Sequence, residues 1–174
     1  MASLFGHVAA STVLGFSMFK ENPAWKALLL AGFCAFAPDL DVIAFRFGIS
    51  YVSIWGHRGW THSLAFAVGF GALIGWLFYR QEKDWWKMAI WFILATASHP
   101  LLDMLTTGGM GCALWWPVTE ERLFFPVRVI RVSPLGIGAF FSEWGMRVLL
   151  SELAWIGVPG LAIVALARLF RQGY

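Results

Sequence analysis

Trp85-Trp86-Lys87-Met88-Ala89-Ile90-Trp91-Phe92-Ile93-Leu94-Ala95-Thr96-Ala97-Ser98-His99-Pro100-Leu101-Leu102-Asp103 is an apolar run that closes on a histidine and an aspartate four residues apart. A run of this length and composition suits a helix solvated by lipid, where roughly 17 to 25 residues cross the hydrocarbon. A spacing of four stacks His99 and Asp103 on one helical face, so a single metal ion could take both. Pro100 leaves a backbone carbonyl free beside them. Helix capping by Asp103 is the competing explanation, and it leaves His99 unexplained.

The rest of the chain has the same character. Of 174 residues, 59% are hydrophobic and 13% charged, with a mean hydropathy of +0.69. Soluble domains are roughly half apolar and a quarter charged, so this chain is built for a membrane. No polar linker, low-complexity stretch or internal repeat divides it, and residues 1–174 read as one domain. The net charge of +3 comes from Lys and Arg scattered at the ends of hydrophobic segments rather than in a basic stripe, which excludes a nucleic-acid surface. Cys34 and Cys112 are too far apart and too differently placed for a disulfide framework or a zinc knuckle. The N-terminus lacks a basic n-region and carries His7, so it reads as a retained helix rather than a cleaved signal.

Five apolar segments predict an all-α, polytopic transmembrane bundle of about five helices, near residues 4–20, 25–38, 62–80, 85–105 and 146–168. The last three have spanning length, and the first two are short. Gly157 and Pro159 interrupt the fifth. The connections at Lys20–Ala24 and Gln81–Asp84 are short and polar, whereas Asp39–Thr61 and Thr106–Gly145 are long and lie on the opposite side. Trp115, Trp116, Phe124 and Phe125 in the last loop suit an aromatic belt at headgroup depth.

Alternating crossings bring His7, His57, His62 and His99 to one membrane face together with Asp39, Asp41 and Asp103. Asp84 alone among the aspartates lies on the other. Exclusion of polar side chains from hydrocarbon explains part of this clustering, but not the local patterns. In Gly56-His57-Arg58-Gly59-Trp60-Thr61-His62-Ser63, a glycine-flanked turn presents His57, and Thr61 is the expected N-cap of the third helix. In Ala37-Pro38-Asp39-Leu40-Asp41, carboxylates two residues apart at the end of the second helix point to one side if the segment is extended. Imidazole and carboxylate without thiolate suit zinc, manganese or iron. Seven such groups exceed the three protein ligands of one catalytic zinc, so either two ions bind or some groups orient the others and act as a base.

Pro38-Asp39-Leu40-Asp41, His57-Arg58-Gly59-Trp60-Thr61-His62-Ser63 and His99-Pro100-Leu101-Leu102-Asp103, with His7 upstream, resemble the motifs of the YdjM-like membrane-bound metal-dependent hydrolases. Leu114-Trp115-Trp116-Pro117, Arg122 to Pro126 and Ser133-Pro134-Leu135 resemble that family's loop, so the likeness covers about residues 5–135. It implies an inner-membrane hydrolase using a divalent metal, with His7, Asp39, Asp41, His57, His62, His99 and Asp103 as ligands.

One or two ions at the bilayer edge would activate water against a phosphoester in a phospholipid or lipid-linked phosphate, with Asp39, Asp41 and Arg58 in the catalytic machinery. Arg58, Arg122, Arg128 and Arg131 are candidates for phosphate recognition, since a planar guanidinium suits it, with membrane-surface or topogenic charge as the competing explanation, above all for the three in the loop. Glu143 and Glu152 are further candidates, the latter also able to pair with a neighbouring helix. The alternative is a membrane metal-binding protein without hydrolase activity: a transporter, sensor or scaffold. The face opposite the site carries Lys20, Lys26, Arg80, Lys83, Lys87, Arg168 and Arg171, against Arg46, Arg58, Arg122, Arg128, Arg131 and Arg147 on the site face. The short turns carrying these cations are therefore expected inside and the site outside.

Overall fold

Serine side chains start three of the helices: Ser3 Oγ accepts from the backbone N–H of Gly6, Ser63 Oγ from Phe66, and Ser142 Oγ from Gly145. Each satisfies a donor that has no partner inside its helix. The computed structural model describes residues 1–134 and 137–172. Leu135, the last residue of the family-like loop, lies outside the described residues, as do parts of the expected single domain at 135–136 and 173–174. Among the described residues the chain is helical, with two isolated bridges, Thr106 with Ile130 and Cys112 with Leu123, and no strand. The helices are α1 (Leu4–Met18), α2 (Trp25–Phe36), α3 (Leu64–Tyr79), α4 (Trp85–Met104), the short α5 (Ile137–Phe140), α6 (Glu143–Glu152) and α7 (Val158–Gln172).

Local chemistry moves several boundaries from where they were expected. The second helix does not stop at Pro38 but tightens into a 3-10 helix over Ala37–Phe47, with Pro38 in its first turn where a missing N–H costs nothing. Asp39 and Asp41 therefore sit on a helix, not an extended segment. Ser63 rather than Thr61 caps α3, because the Thr61 hydroxyl is turned instead to Asp41. The α6 helix passes through a π turn at Leu153–Gly157 into α7. Pro159, two residues beyond that turn, cannot donate to the helix ladder, and a widened turn is one way a helix accommodates it.

Among the described residues, two helical stretches are long and apolar enough to cross a membrane: Trp25–Phe47, 23 residues, and Glu143–Arg171, 29 residues. That is fewer than the five expected. The 3-10 extension lengthens the second segment into this class, whereas α3 stops at 16 residues and α1 at 15. The 20-residue α4 carries Lys87, His99, Pro100 and Asp103 and is not among them.

Small residues let the helices approach closely, as lipid-solvated helices require when water gives no driving force between them. Gly71 and Gly75 of α3 lie against the backbone of Ile93 and Ala89 of α4; a Cβ on either would come within 2.5 Å of those atoms. Gly15 of α1 faces the ring of Trp91, which is fully buried and donates its indole N–H to the Ser11 carbonyl at 2.9 Å. Ala27, Ala31 and Ala35 of α2 complete this core with Phe92 and Ala95. Outward-facing Leu29, Phe78, Leu161 and Phe170 are each at least 60% exposed, an apolar exterior suited to hydrocarbon. Packing around α4 leaves the start of α1, the end of α2, the start of α3 and the end of α4 at one end of the molecule, where the polar residues meet.

Candidate metal centre

Four buried side chains, Asp39, His62, His99 and Asp103, offer ligand atoms that all lie within 4.8 Å of one another. The His99 ring is aimed by a backbone carbonyl. Pro38 has no N–H to give the Ala35 carbonyl three residues back, and that carbonyl accepts instead from His99 Nδ1 at 2.7 Å. With Nδ1 engaged by that carbonyl, His99 presents Nε2 to the centre. That Nε2 is 3.1 Å from His62 Nε2 and 3.3 Å from Asp39 Oδ1. Asp39 is 1% exposed, and neither of its carboxylate oxygens has a hydrogen-bond partner among the described residues.

Asp41 faces the other way and organises the loop. It accepts from His57 Nδ1 at 2.7 Å, from the Thr61 hydroxyl at 2.6 Å and from the Arg58 backbone N–H at 3.2 Å, with His62 Nδ1 3.3 Å away. Fixing the Nδ1 side of both histidines leaves their Nε2 atoms for other partners, the usual outer support of a metal-binding imidazole. Asp41, His57 and His62 also form a second group close enough to hold an ion. Burial opposes charge on His62, but the carboxylates of Asp39 and Asp41 outweigh it, and its pKa is pushed up to about 9.

Asp103 is fully buried. Its Oδ1 accepts from the Ala2 backbone N–H at 2.7 Å and lies 3.4 Å from His7 Nε2, while the His7 ring stacks on His99 at 3.8 Å between centroids. Its Oδ2 is 3.0 Å from Arg58 Nε, an ion pair without the alignment of a hydrogen bond, and 3.8 Å from His62 Nε2. Arg58 is itself fully buried, with Nη1 donating to the Gly108 carbonyl at 2.9 Å and Nη2 to the Thr106 hydroxyl at 3.1 Å. Its φ of 64° is unusual for a residue with a side chain, and tight glycines flank it: a Cβ on Gly59 would be 1.8 Å from the Ile54 carbonyl oxygen.

All seven expected residues lie at this end of the molecule: Asp39, His62, His99 and Asp103 form the inner group, His7 stacks beside it, and Asp41 with His57 forms the second group around His62. The arginines are used differently from the sequence expectation of direct phosphate contact. Arg58 is spent on Asp103, and Arg122 clamps the His57 loop by donating to the carbonyls of His57 at 2.9 Å, Tyr51 at 3.1 Å and Ser53 at 2.9 Å. Arg128 lies over Phe124 and Arg131 over Trp144. Trp116 packs edge-on against Trp55 and Trp60, so part of the aromatic belt is internal structure. Glu143 pairs with Arg147 on the surface, and Glu152 accepts from the Ser3 N–H and hydroxyl at 2.5 and 2.6 Å, tethering the start of α1 one turn before His7. Sequence reading missed Thr61 as a partner of Asp41 and Ala35 as a partner of His99; the signal for the second was Pro38, three residues on.

The sequence model of a family described as YdjM inner membrane protein matches residues 1–173. The chain belongs to the YdjM inner membrane protein family. It is 33% identical over 171 residues to the inner membrane protein YbcI of Escherichia coli (strain K12), across 95% of this chain and 96% of that one. No solved structure matches it. As a YdjM family member the chain is an inner membrane protein, in keeping with its apolar exterior, and its buried His and Asp cluster could hold a metal ion.

Proposed function

We propose that this chain is a multi-pass metal-dependent hydrolase that cleaves a phosphoester in a phospholipid or lipid-linked phosphate at the membrane surface. The observation that carries the reading is Asp39: a buried carboxylate with no hydrogen-bond partner among the described residues, facing the Nε2 atoms of two histidines. Burying such a charge without compensation is costly, and a cation removes the cost. Nitrogen and oxygen donors without thiolate suit zinc, with manganese or iron as alternatives, and Asp39, His62, His99 and Asp103 would hold the ion, with His7 beside them. A bound ion there would supply Lewis acidity, polarising a phosphoryl oxygen and lowering the pKa of a water.

The chain supplies the rest. His57, held by Asp41 at Nδ1 and lining a hollow beside Tyr51, keeps Nε2 available as a base. Water gives its proton to that nitrogen as its oxygen bonds to phosphorus; the ester P–O bond breaks, and the leaving alkoxide recovers the proton from His57. Arg58 acts through Asp103, keeping its carboxylate turned to the centre. Asp41 orients both His57 and His62.

In this reading α1, α2 with its extension, α3, α4 and the α6–α7 rod make five crossings, the short ones accommodated by local thinning of the bilayer. Arg58 and Arg122 are committed internally, as Arg168 and Arg171 are at the other end, which leaves Arg46, Arg128, Arg131 and Arg147 against Lys20, Lys26, Arg80, Lys83 and Lys87, and favours an outward site. A transporter would need polar groups along a path through the bilayer, and α3 is apolar throughout. The test is release of a phosphorylated headgroup or inorganic phosphate from lipid by zinc-loaded protein in detergent. Activity that survives chelation rejects the mechanism.

A further inference from the structure

Asp39 is also part of a wall. A groove of about 560 Å³ runs past it, lined by Leu4 and Phe5 of α1, by Leu40, Val42 and Phe45 of the 3-10 extension, and by Phe140. Asp39 is the acidic residue of this mainly apolar lining, to which Ser3, Ser133 and Met1, the N-terminal residue, add polar groups. A second hollow of about 380 Å³ is lined by Tyr51, His57 and Gly109, and both hollows include Phe45 and Ser133 in their walls. Each volume falls in the range of about 300 to 1,000 Å³ usual for small-molecule sites.

We propose that these two hollows form one subsite for an amphipathic lipid phosphate: a hydrocarbon chain lies in the groove, the phosphate linkage sits at Asp39, and the polar head occupies the hollow beside His57 and Tyr51. The occupant follows from the surroundings. The groove is cut into Trp25–Phe47, one of the two stretches able to cross the membrane, and its neighbours Ile43 and Phe47 are 51% and 77% exposed. A chain therefore passes from the bilayer into the groove without leaving an apolar environment, whereas water there would be costly against so much apolar surface. A wholly apolar ligand would leave Asp39 no partner beyond the histidine rings, the nearer at 3.3 Å and the other at 3.7 Å. A phosphate meets it only with a cation between the two charges, and in that respect the subsite rests on the metal reading above.

The probe is phosphatidic acid with a diazirine at its chain end, photolysed with the full-length zinc-loaded protein. Labelling is expected at Leu40, Val42 and Phe45, at least about tenfold above Leu161 and Phe170 on the outer surface, a clear preference in binding terms. Val42→Trp should bring groove labelling to background without loss of bound zinc. Excess unlabelled long-chain phosphatidic acid should compete, and glycerol phosphate should not; this serves even if the tryptophan variant fails to fold. Even labelling of groove and outer surface, or equal competition by glycerol phosphate, overturns the subsite. Groove-confined labelling without phosphate release leaves it standing and sinks the hydrolase; phosphate release with even labelling does the reverse.

Discussion

His62 Nε2 and His99 Nε2 face each other across 3.1 Å, while the Nδ1 of His99 is engaged by the Ala35 carbonyl. Two bare nitrogen lone pairs repel at that distance, so the pair is suited to share a proton or a cation. The same pair of carboxylates that raises the His62 pKa would favour either occupant.

Removing one donor should therefore empty the site. His99→Ala and Asp39→Asn are each expected to lower zinc affinity by at least about tenfold, the lower end of what even outer-shell losses cost. Asp103→Ala is less informative, because it strands Arg58 and costs about 3–5 kcal/mol of stability. Isothermal titration on the folded variants decides it, and unchanged affinity in both would remove the proposed centre.

Metal and proton should compete. With the His62 pKa raised to about 9, the ring is protonated at pH 7 and must lose that proton to ligate. Apparent zinc affinity should rise with pH, by up to about tenfold per unit, and level off above about pH 9. Titrations in buffers of different ionisation enthalpy should show proton release on binding at pH 7.5. Binding that neither releases protons nor varies between pH 6.5 and 8.5 would contradict this role for His62.

Arg58→Lys should be damaging although it keeps the charge. A single ammonium cannot replace the contacts to Asp103, Thr106 and Gly108, and leaving buried acceptors unpaired costs about 1–3 kcal/mol each. A lowered thermal midpoint in detergent, with reduced phosphate release, is expected. Wild-type values of both would show that Arg58 does not hold Asp103.

Orientation can be read by labelling, since Cys34 and Cys112 are buried and only an introduced thiol is accessible. Glu120→Cys should react with an impermeant maleimide in intact cells and Lys83→Cys should not. The opposite pattern places the centre on the cytoplasmic side and sends the search for substrate to that leaflet.

The sequence alone placed the main apolar helices and gathered the polar residues at one end. Apolar runs exclude charged side chains, and short turns alternating with long loops force His7, Asp39, His57, His62, His99 and Asp103 to the ends that share one side. That logic needs only hydropathy and chain direction, so it was legible without coordinates. Which residue faces inward was decided by tertiary structure. A 3-10 helix turns about 120° per residue, so Asp39 and Asp41 diverge rather than point together, one to the centre and one to the His57 loop. Pro38 reads in sequence as a stop, yet the helix tightens around it and gains spanning length. Arg58 could have faced water or protein; burial against Asp103, with its backbone held by Asp41, settles its direction because no one-dimensional pattern encodes a contact 45 residues away.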